Sequence, residues 1–327
     1  MRFWSPKSTY RSLLTAVLAC LLGGCVTSSP LMAVRAPVSD LRAQPHTEAQ
    51  AAVHDPFEET QLLYGESVRV VKSQDGWAYV EAVEQPEFTH AHRWQGYPGW
   101  LPLAALAPWQ PLLDPTIVVT ERWASTWQEP QLLTPSPLQF PLGTRLRATE
   151  MGDALWRVEL LTGGMVWMRI QDAHSLEELH LLSPFDRRRM ILHNAQLLLG
   201  ESYYWGGRSP SGGPDGVHGV DCSGLVNLAY RGAGVDVPRD AHEQFLRAKR
   251  VKALQPGDLV FLSERGNPQH IVHVMLYAGN GELIEGPGTG KAVRRISMSE
   301  RLGQSPDWIT PGAVIDDQSV FFGSFLP

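Results

Sequence analysis

The sequence predicts an α+β domain at the C-terminal end of the chain, preceded by two small all-β domains. Three observations carry that expectation. Twenty-five prolines and thirty glycines among 327 residues favour short strands and many turns over long helices. Eight of the eleven tryptophans fall between Trp77 and Trp167, among short alternating runs turned by Gly and Asp. Beyond about residue 183 a capped helical segment leads into glycine-rich turns, a second helical segment and a set of short strands, the helices-then-sheet order of an α+β arrangement. The length itself exceeds that of one ordinary domain.

The N-terminus reads as a targeting segment rather than part of the fold. Arg2, Lys7 and Arg11 precede an apolar run from Leu13 to Leu22 that is too short to span a bilayer as a permanent helix. It ends in Leu22-Gly23-Gly24-Cys25, which resembles the lipobox of bacterial lipoproteins. That resemblance implies that Cys20 is discarded with a signal peptide (1–25) and that Cys25 carries a lipid. The other reading is a plain secretory signal with a coincidental cysteine. The expected location is exported and membrane-anchored. Residues 26–55, rich in Ala, Pro, Ser, Gln and Thr with no sustained apolar period, read as a tether.

Residues 56–108 and 109–182 are expected to form the two all-β domains, because they share an internal repeat. "YGESVRV" at 64–70 is echoed by "LGTRLRA" at 142–148, which sets Gly65 and Gly143 at the same place. "GWAYVE" at 76–81 is echoed by "LWRVE" at 155–159, and "PGWLPL" at 98–103 more weakly by "MVWMRI" at 165–170. The pattern resembles bacterial Src-homology-3-like barrels, which often bind cell-wall peptides; structural barrels with tryptophan cores are the other reading.

The segment 183–327 opens with "SPFDRRRMILHNAQLLLG", in which Ser183 is a candidate N-cap, Pro184 the first helical residue and Gly200 the stop. Residues 257–262, 270–279 and 281–286 read as strands, with a hairpin turn at Ala278-Gly279-Asn280-Gly281. Between them lies "GVDCSGLVNLAYRGAG" at 219–234. If Cys20 is removed and Cys25 lipidated, Cys222 has no disulfide partner, and nothing around it has the close Cys/His spacing of a thiolate zinc site. A buried packing residue and a nucleophile remain. Asp221 is a good N-cap with Leu225, Leu228 and Ala229 following at helical spacing, so Cys222 sits in the first turn, where the helix dipole stabilises a thiolate. That position favours the nucleophile.

A nucleophilic cysteine needs a base. His193, His218, His242 and His270 lie in a helix, a loop or near element ends, whereas His273 lies inside the strand "IVHVMLY", where an imidazole is costly unless something uses it. Alternation places His273 on one face with Ile271 and Met275, and a satisfied core histidine is the duller reading. Pairing across a hairpin centred on Asn280 brings Glu285 towards His273 as a candidate acceptor for its second nitrogen.

Five blocks in order, "SYYWGG" (202–207), "DCSG" (221–224), "RDAHEQ" (239–244), "PGDLVF" (256–261) and "HVMLYAGNGELIE" (273–285), resemble the NlpC-type cysteine peptidases of bacterial cell walls. The resemblance covers about 183–327 and implies a papain-like α+β core with Cys222 as nucleophile, His273 as base and Glu285 as third residue. Many relatives have a histidine at that third position, so Glu285 is a departure. With the two preceding barrels the chain looks like the three-domain branch that trims murein peptides. Those enzymes cut between γ-D-glutamate and a diamino acid, beside a free N-terminal L-alanine. The resemblance further implies Asp240, Ser223 and Tyr97 at the substrate ammonium, Tyr203 by the oxyanion and Trp205 walling the cleft; Ala241 stands where some relatives have serine. Each has a plainer reading: Asp240 as helix cap, Tyr97 packed beside Trp100, Trp205 as core. An amidase or endopeptidase acting on intact stems and a non-catalytic wall-binding lipoprotein are the competing functions. No cofactor or metal is expected, and a formal net charge of -6 without a basic stripe gives no reason to expect nucleic acid.

Overall fold

The structure is a computed structural model, and it describes residues 31–45, 54–108, 114–213 and 219–327. Residues 31–45 correct the expected tether. Leu31–Val34 and Val38–Arg42 are strands of the first all-β unit, whose seven-stranded sheet also contains Glu58–Leu63, Ser67–Gln74, Trp77–Glu87, Gln95–Pro102 and Leu106–Pro108. Val34 and Leu41 are fully buried among Val68, Val80 and Leu101, and Ala33 is buried in a second cluster with Tyr64, Ile117 and Phe140. Two strands of four and five residues are too short to give a sustained period, so tertiary pairing rather than local pattern fixes them. Cys25 lies outside the described residues.

The second unit has a five-stranded sheet (Pro135–Pro141, Trp123–Trp127, Met165–Arg169, Leu155–Glu159, Ala148–Met151) beside a three-stranded one (Arg145–Leu146, Ile117–Val119, Ala173–Ser175). The repeat seen in the sequence has a backbone counterpart. Gly65 and Gly143 have φ of 83° and 84°, a left-handed conformation that glycine adopts without strain, and their N–H groups donate to Val34 O and Val119 O. In each unit a closing strand, Gln95–Pro102 or Met165–Arg169, runs into one 3-10 turn and then a short strand.

The C-terminal region begins with helices α1 (Leu176–Leu181) and α2 (Pro184–Leu197). As expected, Ser183 caps α2 through Asp186 N, Pro184 occupies the first turn and Gly200 turns the chain away at φ 85°. Helices α3 (Cys222–Arg231), α4 (Ala241–Arg247) and α5 (Met298–Leu302) follow. The strands form an antiparallel sheet in the order Lys249–Arg250, Gln318–Ser324, Leu259–Glu264, Asn267–Gly279, Glu282–Glu285, Arg294–Ser297, with Val314–Ile315 paired to Gln318–Ser324. One face packs on α2 and α3 through Ile191, Leu225, Leu228, Val274, Leu276 and Ile284, while Val260, Met275, Leu283 and Ile296 form a second cluster on the other face. Helix α3 is thereby clamped against the sheet, with its N-terminus held by the apolar core.

Buried ion pairs join the three parts. Fully buried Arg208 meets Glu66 of the first unit at 2.8 Å, and Arg231 on α3 donates to Glu84 of the first unit at 2.6 Å and to Gly143 O of the second at 2.9 Å. Leu63 and Leu142, one from each unit, share the apolar cluster of α2 and α3.

Candidate active site

Cys222 is the first residue of α3, and only 7% of its surface is accessible. Asp221 caps the helix, its Oδ1 accepting from Gly224 N at 2.6 Å, so the free N–H groups of the first turn stay oriented towards the thiol. The turn before the helix must approach closely: a Cβ on Gly224 would lie 2.2 Å from Gly207 O. That contact accounts for the glycine two residues after Cys222, while a Cβ on Gly207 would lie 2.4 Å from Gly219 O and Gly206 has a φ of 75°. The Asp221 carboxylate is held bidentately by Arg239, with Nη1 to Oδ1 at 3.0 Å and Nη2 to Oδ2 at 2.8 Å, and Gly206 N adds a bond of 3.1 Å.

His273 and Glu285 meet at 2.8 Å through Nε2 and Oε2. Leu276 pairs with Ile284, so Glu285 lies diagonally across from His273 in the ladder. A register shift at Leu262/Ser263, opposite His273 and Ile271, breaks the alternation. The expected sharing of one face is therefore corrected: Ile271 joins the cluster with the helices and Met275 the cluster on the other face. With Nε2 taken by Glu285, the other ring nitrogen is left for the hydrogen bond to Cys222. Burial alone lowers the His273 pKa, but the hydrogen bond and charge of Cys222, then those of Glu285, outweigh it and raise the group to about 9. Burial raises Glu285 in turn, yet hydrogen bonds from His273 and Arg301 prevail and hold it down at about 2. An ionised carboxylate and an imidazolium beside the Cys222 sulfur is the arrangement of a poised cysteine nucleophile.

A cleft of about 360 Å³ runs from Cys222 to the first β unit. At its far end Tyr97 Oη donates to Asp240 Oδ2 at 3.0 Å, and Glu59 Oε2 lies 3.4 Å from the same hydroxyl. Asp240 occupies the N-cap position of α4 but makes no side-chain cap bond, so its carboxylate serves the cleft rather than the helix. Burial, ahead of the opposing pull of Arg239, pushes Asp240 up to about 7, although 37% of its side chain faces the opening. Burial, then Asp240 and Glu59, keeps the Tyr97 phenol well above its usual range, so it remains a donor. Ser223 Oγ is tied to Asp221 at 3.2 Å and receives Arg239 Nη1 at 2.9 Å. Tyr203 lines the cleft beside Cys222, and burial followed by the charges of Asp221 and Cys222 keeps its hydroxyl protonated. Trp205 is 53% exposed and stands edge-on to His54 at 6.4 Å, which places it on the cleft wall and not in a core.

His242 and His270 also line the cleft, their rings 5.3 Å apart, and His242 Nδ1 accepts from Ile271 N at 3.2 Å. His193 lines a separate groove on α2, and His218 lies outside the described residues. Sequence reasoning missed Arg239, fully buried between Asp221, Ser223, Asp240 and Thr60 of the first unit. It also missed Arg294 and Arg301 on Glu285, and Glu243, whose buried Oε1 accepts from Phe88 N, Thr89 N and Thr89 Oγ1 of the first unit. Arg239 had one signal, its place directly before Asp240; the others come from distant segments that no local pattern connects.

Comparison with known proteins agrees with this geometry. Residues 200–309 match the NlpC/P60 family. A gamma-D-glutamyl-L-lysine dipeptidyl-peptidase of Bacillus cereus is 29% identical over 247 residues, covering 74% of this chain and 71% of that protein. Dipeptidyl-peptidase 6 of Lysinibacillus sphaericus is 26% identical over 280 residues, covering 82% and 92%. The crystal structure of an NlpC/P60 family protein from Bacillus cereus superimposes with a TM-score of 0.72 over 91% of this chain and 100% of its own, at 23% identity. With a cysteine, a histidine and a carboxylate aligned at the end of a capped helix, the chain carries an NlpC/P60 cysteine-peptidase domain over residues 200–309.

Proposed function

We propose that the protein removes an N-terminal dipeptide from murein-type peptides, cutting between γ-D-glutamate and a diamino acid and requiring a free amine on the leading L-alanine. The observation that carries this reading is the 3.0 Å bond between Tyr97 of the first β unit and Asp240 of the catalytic domain, which ends the cleft in a carboxylate. An ammonium placed there gains a charge-assisted contact, while a chain continuing past that point meets the first unit. The name of the Bacillus cereus relative supports the same bond, and that of the Lysinibacillus sphaericus relative supports release of a dipeptide.

In this reading the Cys222 thiolate attacks the γ-carbonyl carbon and the oxygen takes up the negative charge near the Tyr203 hydroxyl and the N-terminus of α3. The C–N bond then breaks as His273 gives its proton to the departing amine, leaving a thioester on Cys222. Water, deprotonated by the now neutral His273, hydrolyses that thioester and restores thiolate and imidazolium. Glu285 holds the ring throughout.

Mass spectrometry of products from L-Ala-γ-D-Glu-L-Lys peptides tests the assignment. Cleavage to the dipeptide, at least tenfold slower once the alanine amine is acetylated, supports it; removing a charged partner from a buried group costs about 2–5 kcal/mol. Equal rates on blocked and free peptides, or on polymeric murein, assign the site to an intact-stem hydrolase instead. Binding to sacculi without turnover would leave only a wall-binding role. Lipid attachment at Cys25 and an exported, membrane-held enzyme belong to the same reading, supported by Leu22-Gly23-Gly24-Cys25. Metabolic labelling with a fatty-acid analogue should be lost in Cys25→Ala, and persistence of the label overturns the anchor.

A further inference from the structure

The Glu285 carboxylate is engaged from three sides. His273 Nε2 lies 2.8 Å from Oε2 and Arg301 Nε 2.9 Å from the same oxygen, while Arg294 Nε and Nη2 reach Oε1 at 3.1 and 2.8 Å. The donors come from the strand Asn267–Gly279, from α5 and from the strand Arg294–Ser297, so separate elements converge on one side chain. Glu285 is fully buried, whereas the Arg294 and Arg301 side chains keep 42% and 25% of their surface accessible.

The charges matter as much as the geometry. A buried carboxylate paired with His273 alone would hold a full negative charge beside the imidazole and draw a proton strongly to the ring. Here one carboxylate and two guanidiniums sum to +1 before His273 is counted. Cys222 lies on the far side of the imidazole, and among the described residues Lys291 and Glu300 line the shallow groove with the two arginines. Arg301 shares Oε2 with His273, which fixes the carboxylate plane; Arg294 grips Oε1 through two nitrogens and prevents the group from turning.

We propose that Arg301 and Arg294 are positioning residues for the Cys222–His273 pair: by filling the other acceptor positions of Glu285 and balancing its charge, they give His273 one acceptor of fixed direction and set the pH range in which the thiolate–imidazolium pair persists. The proposal rests on the reading of Cys222 and His273 as a catalytic pair, not on the substrate assigned above. Loss of a guanidinium leaves Glu285 more negative, which stabilises the imidazolium and disfavours the thiolate. Both inflections of Cys222 reactivity then move to higher pH.

Alkylation of Cys222 by iodoacetamide tests this on the full chain, followed across roughly pH 4 to 10 by mass spectrometry of the Cys222 peptide. Because no peptide substrate is involved, a wrong substrate assignment leaves the readout intact. Arg301→Gln should move both inflections up by about 0.5–1.5 pH units and Arg294→Gln, at the more exposed arginine, by less. Arg301→Lys, which keeps the charge, should stay within about 0.3 units of the parent. Profiles of Arg301→Gln and Arg294→Gln that superimpose on the parent overturn the proposal. So does an Arg301→Lys shift as large as that of Arg301→Gln, since packing rather than charge would then be the agent. If Arg301→Gln does not fold, Arg294→Gln alone decides in the same way.

Discussion

In the first β unit the strands Trp77–Glu87 and Gln95–Pro102 are joined by residues 88–94, which cross to α4, where the buried Glu243 accepts their backbone N–H groups. In the second unit the corresponding strands Leu155–Glu159 and Met165–Arg169 are joined by a tighter turn through Gly163 and Gly164, whose added Cβ atoms would meet nothing. Both units share the glycine turn, the tryptophan-bearing strands and the closing 3-10 turn. One supplies Tyr97, Glu59, Thr89 and His90 to the cleft, and the other supplies no cleft residue among those described. A small all-β frame thus reaches the cleft through one connection and one tyrosine, while its copy contributes none of the described lining residues.

The largest expected effect is the floor common to both units. Cys222→Ser should lower kcat/KM by at least about a thousandfold with an unchanged melting temperature, because an alcohol at this site is not ionised by His273. Turnover within tenfold of the parent would remove Cys222 from the chemistry.

The two units separate at the next level. Tyr97→Phe should cost about 10–100-fold in kcat/KM, the scale of one hydrogen bond to a charged group. Trp167→Phe, on the closing strand of the second unit, should stay within about twofold. Comparable losses in both variants would break the contrast.

The pH profile sharpens it further. Asp240 sits at about 7 and His273 at about 9. In the proposed function the substrate ammonium needs Asp240 ionised, so kcat/KM should rise as pH passes 7, and the attack needs His273 protonated, so it should fall as pH passes 9. Asp240→Asn should lose the acid limb and keep the basic one. Glu285→Gln, remote from both β units, should keep the acid limb, lose about tenfold in rate and move the basic limb below 9, since its oxygen still accepts the imidazole N–H but supplies no charge. Glu285→Ala should lose more. Parental profiles in both Glu285 variants would leave it a plain strand residue.

The smallest effect belongs to the second unit's outer contact. Arg145 Nη2 meets the exposed Asp236 at 2.7 Å, and Arg145→Gln should move the melting temperature by no more than about 1–2 °C without changing kcat/KM.

Much of this site could be read in advance, because its parts lie on elements with local signatures. Asp221 before an apolar helical period located Cys222, and a histidine inside an apolar strand beside a glycine hairpin located His273 and Glu285. The bulge at Val272, next to His273 in the same strand, was not legible, since one extra residue in a ladder leaves no mark on either strand's composition. The strands at residues 31–42 escaped because their burial depends on partners far along the chain, from Glu58 opposite Arg42 to Ala107 opposite Ala33. Arg239, Arg294 and Arg301 escaped because an arginine in sequence reads as surface, and only the fold reveals which ones turn inward to a carboxylate.

Arg208 carries a consequence for how such a protein can be assembled. Its side chain is fully buried, and its partners are Asn227 on α3, the carbonyl of Gln61 and the carboxylate of Glu66; its own N–H and the hydroxyl of Ser209 both bond Gln61 Oε1. Two of those three residues belong to the first β unit. Separated from that unit, the catalytic region would lose the counter-charge of Arg208 and open to water a guanidinium that the intact fold buries completely. The parts are therefore not interchangeable modules. Melting should appear in calorimetry as one cooperative event spanning the first unit and α3, and recombination between related genes should be tolerated only where it carries Glu66 and Arg208 together.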